Sequence, residues 1–208
     1  MMKKNILIEI TIISLFFLST ILFTYPLAPN FGKGILHLGA DPLINLWILL
    51  WNNHKLLSDP LNLFNANIFF PEPLTLTYSE SLISEALFFI PIFRATKNPV
   101  AGYNFVLFMS FFLSAYGTYL FARYLSGRRS AGIIAGILFG FFAFRYTHLS
   151  QIQLLFTLWL PFSLLFLHRY FELGKRYFLF LSAGFITLLA LSSGYYAAYG
   201  GLLFIIYF

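Results

Sequence analysis

No cysteine occurs in the 208 residues, which excludes a disulfide framework, a zinc–thiolate site and a thiol nucleophile. Charge is scarce as well: Asp, Glu, Lys and Arg make up 10% of the chain, where a soluble domain carries about 25%. Acidic residues are the scarcest, seven against thirteen basic ones. This composition excludes an ordinary water-soluble domain, and each carboxylate needs a reason beyond solubility. The net charge of +6 does not point to nucleic acid. The basic residues sit in short loops between apolar runs and not on one continuous face, which is how orientation in a bilayer is set.

What the chain does have is apolar and aromatic. Hydrophobic residues make up 60%, with 28 Phe and 13 Tyr, and several runs approach the roughly 18 residues of a membrane span. The expected fold is all-α, a polytopic transmembrane helical protein with a large extracytoplasmic first loop carrying juxtamembrane helices. Residues 1–208 read as a single membrane domain: a first transmembrane helix at 6–27, the loop at 28–99, and a helical bundle at 100–208 that is expected to continue past the last residue. The run at 6–27 is too long for a secretory h-region and no small-x-small cleavage site precedes Tyr25-Pro26, so it reads as an uncleaved anchor. Lys3 and Lys4 would be cytoplasmic, with Glu9 at the interface or paired to a lysine.

Basic residues set the topology. Arg123, Arg128 and Arg129 crowd one loop, and Arg169, Lys175 and Arg176 another. Both loops are expected on the cytoplasmic side with the N-terminus. A single crossing, by the run at 100–122, then separates the first helix's outer end from residue 123. The run at 82–93 is short, holds Glu85 and is expected to break at Pro91, so it should lie flat or re-entrant on the outer face. The run at 130–144, about 22 Å as a helix, falls short of a 30 Å core and would thin the bilayer. Its Gly132, Gly136 and Gly140 should let a neighbouring helix approach closely.

Candidate chemistry gathers on the outer face. Residues 41–57 read as an interfacial amphipathic helix with Asp41 as N-cap and Pro42 at the first helical position. Asp41, Asn45, Asn52 and Lys55 fall within roughly 80° of one another on it, a polar stripe beginning at a carboxylate. The same face would receive Glu72, Tyr78, Ser79 and Glu80 from the loop, then Arg145, His148, Gln151 and Gln153, and then the turn Ser192-Ser193-Gly194-Tyr195-Tyr196. Ionisable groups at a membrane edge are functional candidates by default. The bland alternative is that Asp41 only caps a helix and the Asn residues only face water.

The segments Gly39-Ala40-Asp41-Pro42 with Trp47, Pro71-Glu72-Pro73 with Tyr78-Ser79-Glu80, and Phe144-Arg145-Tyr146 with His148 and Gln151 carry a resemblance. With the layout of first helix, large outer loop and paired helices, the chain resembles the GT-C superfamily of integral membrane glycosyltransferases. It is more similar to the bacterial YfhO-like and mannosyltransferase-like branch than to the oligosaccharyltransferases. The resemblance implies a polyprenyl-phosphate sugar donor, a glycan, lipid or protein acceptor, and a place in the bacterial inner membrane and cell envelope. It also implies that the first-loop aspartate, here Asp41, serves as catalytic base or acceptor-orienting group. Transfer from a polyprenyl phosphate needs a base for the acceptor proton and cations on the leaving phosphate. Arg145, with Lys55 or His148, is the expected phosphate partner; Glu80 is a second catalytic carboxylate, and Tyr78 and Gln151 are substrate contacts. No adjacent Asp-Glu or Asp-x-Asp pair occurs, which leaves a divalent metal open. If one reaction unites them, Asp41, Arg145 and His148 should line a single cavity, tips within roughly 12 Å of a common point. The rival readings are a transporter or flippase of lipid-linked glycans and a non-catalytic membrane subunit.

Overall fold

The computed structural model describes residues 2–37 and 39–207, the side chains of residues 2–4, 204, 206 and 207 excepted. The described residues form α-helices joined by turns, with no strand among them: α1 (Met2–Phe23), α2 (Ala40–Ser58), α3 (Ile83–Thr96), α4 (Pro99–Ser126), α5 (Arg129–Gly140), α6 (Ala143–Thr147), α7 (Ile152–Leu155), α8 (Trp159–Leu173), α9 (Arg176–Ala190) and α10 (Gly194–Tyr207). Four stretches are long and apolar enough to cross a bilayer: Asn5–Phe23, Pro99–Ser126, Arg129–Thr147 and Ile152–Leu173. The third and fourth correct the sequence-based bounds. α5 stops at Gly140 but the apolar stretch runs on through α6, and α7 precedes α8, so the expected short span is long enough to cross. The chain is a helical membrane protein.

α4 is the central post, and α1, α3, α5 and α8 all pack on it. The glycine expectation holds on the α5 side. A Cβ on Gly132 would meet the Tyr119 carbonyl oxygen at 2.7 Å, one on Gly136 the Ala115 carbonyl oxygen at 2.6 Å, and one on Gly140 would run into the Ala115 side chain. Three glycines one turn apart therefore let two backbones touch. α8 approaches through Gly117, over which the Phe162 ring lies. α8 and α9 are joined by a reciprocal pair, Ser163 and Ser182 hydroxyls each donating to the other's carbonyl at 2.9 Å.

Two ends result. At one, Glu9 of α1 receives Arg123 Nη1 at 2.7 Å, Arg129 Nε at 3.0 Å and the Tyr119 hydroxyl at 2.9 Å. The start of α1 thus meets the end of α4 and the start of α5, and Glu9 pairs with two arginines; the side chains of Lys3 and Lys4, the lysines expected near it, lie outside the described residues. The end of α8 joins them, Tyr124 donating to Glu172. This is the basic end.

The opposite end gathers residues 28–37 and 39–99. The Asn104 amide donates to the Phe31 and Gly34 carbonyls at 2.8 and 2.9 Å, and Asn98, the N-cap of α4, donates to Gly32 at 2.8 Å. α3 remains at this end: Phe89 fills the notch left by Gly102 of α4, and Ser84 accepts from Trp159 Nε1 at 2.6 Å. Pro91 does not break α3. The carbonyl it deprives of a helical donor is that of Leu87.

Candidate functional site

The helix expected at 41–57 is α2, but its N-cap is Gly39, not Asp41. Pro42 becomes the third helical residue, and its missing N–H is still one of the four that no helix can satisfy internally. The helix therefore starts earlier at no cost in hydrogen bonds. Asp41 lies in the first turn, exposed, where the helix dipole favours a carboxylate.

The polar stripe does not face water. Asn45, 3% exposed, donates to the Ser150 carbonyl at 3.3 Å and to Gln153 Oε1 at 3.2 Å. Asn52 is buried and donates to the Ser81 carbonyl at 2.8 Å. Lys55 pairs with Asp59 at 2.9 Å, over the Trp51 ring, so it is held by its own helix end and away from a phosphate role. Lys55 and Asn62 hold the Asp59 carboxyl below the usual range. Leu43, 64% exposed, and Ile44 face outward instead. α2 is an amphipathic helix whose polar face is internal.

The outward face of α2 is one wall of a cavity. The segment after Asp59 folds back on it: Trp51 Nε1 donates to the Leu63 carbonyl at 2.8 Å, Asn65 Oδ1 accepts from the Leu74 amide at 2.9 Å, and the Thr75 hydroxyl donates to Ala66 at 3.1 Å. Leu43, Ile44, Trp47, Phe69, Leu76 and Tyr78 then line an apolar cavity of about 630 Å³. Tyr78 and Ser79 also border a second, more polar cavity of about 710 Å³, lined further by Glu80, Gln153, Tyr195 and Tyr199. One tyrosine–serine ridge therefore separates an apolar chamber from one rich in hydroxyl, amide and carboxylate groups.

The polar cavity is built on the turn before α10. Glu80 accepts from the Ser193 hydroxyl at 3.0 Å and the Gly194 amide at 2.7 Å, a carboxylate on the positive end of a helix. Ser81 donates to the Leu191 carbonyl at 3.2 Å. Behind them Glu85, 0% exposed, accepts from the Ser192 hydroxyl through one oxygen, while the other has no partner. Burial pushes the Glu85 carboxyl up to about 8 against the lowering pull of Ser192, so it holds a proton at neutral pH. Tyr196 lies within electrostatic reach of both Glu85 and Arg145.

Arg145 is 4% exposed, enclosed between α4 and α7. Its guanidinium donates to Ser110 and Thr157 hydroxyls at 3.2 Å each, lies 4.3 Å from the Phe111 ring centroid and leaves Nε unpartnered. Among the described residues no carboxylate pairs with it. His148 folds onto its own turn, Nδ1 at 2.8 Å from the Phe144 carbonyl oxygen, its ring stacked on Phe144. Gln151 sits in the turn before α7. The two cavities bring together Tyr78, Glu80 and Gln153; Asp41, Arg145 and His148 line neither.

Sequence reasoning put the Ser192–Gly194 turn and Glu80 on one face, and they meet. It missed Glu85 as a site residue, although a lone acid in the apolar run at 82–93 was the available signal. Tyr199, Ser110 and Thr157 carried none. Among the described residues no group of three or more His, Asp or Glu side chains comes together to hold a metal, and both Glu80 oxygens already accept bonds. No protein-family model, curated protein or solved structure matches the chain.

Proposed function

We propose that the chain acts as a membrane glycosyltransferase, moving a sugar from a polyprenyl-phosphate carrier to an acceptor on the extracytoplasmic face. The observation that carries this reading is the pair of adjoining cavities. A polyprenyl-phosphate sugar is apolar at one end and polyhydroxylated at the other, and the two chambers sharing Tyr78 and Ser79 match that division. With the basic end cytoplasmic by the positive-inside rule, both chambers open on the outer side.

In the reaction an acceptor hydroxyl forms a bond to the anomeric carbon while the bond from that carbon to the phosphate oxygen breaks, its electron pair leaving with the polyprenyl phosphate. The acceptor proton goes to Asp41, which lines neither chamber but lies exposed two residues before Leu43 of the apolar one, so the acceptor hydroxyl is delivered from the solvent side. Asn45, one turn on, ties that helix to Gln153 of the polar chamber. Glu80, Gln153, Tyr195 and Tyr199 hold sugar hydroxyls. Arg145, buried without a carboxylate, supplies positive potential for the leaving phosphate.

The test is release of polyprenyl phosphate by the full chain in proteoliposomes supplied with polyprenyl-phosphate hexoses and a crude envelope glycan acceptor. Release by wild type and its loss in Asp41→Asn support the reading; no release from any donor, or equal release by both proteins, overturns it. The burial of Glu85 and Arg145 favours one alternative, a carrier of lipid-linked glycans. Translocation of a fluorescent lipid-linked glycan without release would mark it.

A further inference from the structure

The basic end holds a cavity that the proposed transfer does not use. It lies between α4 and α8, has a volume of about 540 Å³, and is walled by Leu120, Phe162, Leu165 and Phe166 with Arg123 and Arg169 at its edge. Its chemistry is divided: the walls are apolar, while the rim is cationic and aromatic.

The two arginines differ in how they are neutralised. Arg123 shares the single carboxylate of Glu9 with Arg129, so that trio keeps an excess positive charge. Glu172, the other carboxylate at this end, is engaged by the Tyr124 hydroxyl and by His168 at 3.4 Å. Arg169 is left to aromatic faces, 4.9 Å from the Tyr124 ring centroid, 5.8 Å from Phe178 and 5.9 Å from Phe166. No carboxylate pairs with it among the described residues. A hydrogen bond to Tyr124 and the cation–π contacts fix the guanidinium in place without cancelling its charge, which leaves its remaining donors to an anion. Arg128, Lys175 and Arg176, in the turns beside it, add to the same potential.

We infer that this cleft binds the headgroup of an anionic phospholipid, with the phosphate on Arg169 and Arg123 and the upper acyl chain along Leu120, Phe162, Leu165 and Phe166. Charge complementarity and the apolar walls together select this occupant. A free phosphate would leave the walls wet, and a neutral lipid would leave the guanidinium uncompensated. The level is right as well, since α4 ends at Ser126 and α8 at Leu173, where spanning helices reach the headgroups. Basic pockets between spanning helices suit anionic headgroups in general. The inference is independent of the transferase reading, because the cleft lies at the other end of the bundle.

The full chain is reconstituted in nanodiscs of phosphatidylcholine with increasing phosphatidylglycerol, then transferred to detergent, and retained lipid is counted by native mass spectrometry. Wild type should keep one phosphatidylglycerol per chain in preference to phosphatidylcholine. Arg169→Gln should lose roughly fivefold in retention, the scale of one arginine against an anionic surface, and Arg94→Gln, at the loop end of the bundle, should change little. If Arg169→Gln does not fold, a photoactivatable phosphatidylglycerol on wild type decides: crosslinks in residues 120–127 and 162–169 support the site. Equal retention of both lipids, crosslinks spread over the other helices, or full competition by inorganic phosphate overturns it.

Discussion

The two ends of the bundle treat charge in opposite ways. At the basic end Glu9 meets Arg123 and Arg129 in short, partly exposed ion pairs, and each group keeps access to headgroups or water. At the loop end two ionisable groups are enclosed and kept apart: Glu85 and Arg145 are buried, neither has an ion partner among the described residues, and each retains an unpartnered polar atom. Buried polar groups are nearly always satisfied, so a concentration of exceptions needs an explanation. Exposed pairs serve orientation at little energetic consequence. Enclosed, incompletely bonded groups oppose stability and are candidates for chemistry. The same contrast appears in α2, whose Asn residues turn inward while Leu43 and Ile44 face an open chamber.

The contrast breaks most sharply if the loop end is inert. Asp41→Asn should lower polyprenyl phosphate release by about 10²–10⁴-fold, the range of a lost general base. Thermal unfolding in detergent should shift little, because Asp41 is exposed. A matched loss of stability and activity would make Asp41 a structural group and return both ends to the same logic.

Next in size is the frame that joins the ends. Gly136→Leu places a side chain against the Ala115 carbonyl and the Phe16 ring, and should destabilise by about 1–3 kcal/mol or more through overpacking, measured by unfolding in mixed micelles. Gly184→Leu, where nothing lies within 4 Å of an added Cβ, should be nearly neutral.

Glu85 sharpens the comparison through pH. Its folded value of about 8 lies above the ordinary 4.5, so the folded protein holds a proton that the unfolded chain has released. The stabilising contribution is complete below about 4.5 and is lost as pH rises through about 8. Unfolding free energy should fall across that window by at most about 1.4 kcal/mol per pH unit. Glu85→Gln should flatten the slope. Glu9→Gln, at the other end, should cost under about 1 kcal/mol, as expected of a partly exposed pair.

The helices, the glycine seam and the meeting of Glu80 with the Ser193 turn were legible because each rests on local pattern: apolar run length, four-residue spacing, basic loops that return to one end. The start of α2 was misread by the Asp-Pro pair, since Pro is tolerated anywhere in a first turn and so does not fix where the turn begins. The burial of Asn45 and Asn52 was not legible, because a polar stripe on one helix does not reveal which neighbours cover it. Their partners, Ser150, Gln153 and Ser81, lie far away in sequence. Lys55 found Asp59 four residues on, a pairing the spacing allowed and the search for a phosphate ligand passed over. The two cavities had no signature in the sequence, because their walls combine α2, the segment at 68–80, Gln153 and the start of α10.

The central claim is that the two chambers at the loop end hold one amphiphilic donor, lipid in one and sugar in the other. Photolabelling tests it most directly, with two polyprenyl-phosphate sugar probes on the wild-type chain, one reactive in the first isoprene units and one on the sugar. The account predicts that the lipid probe marks residues 43–47 or 68–76 and the sugar probe residues 77–80, Gln153 or 195–199. Both probes marking the basic end, or both scattering over α9 with neither chamber labelled, would contradict it.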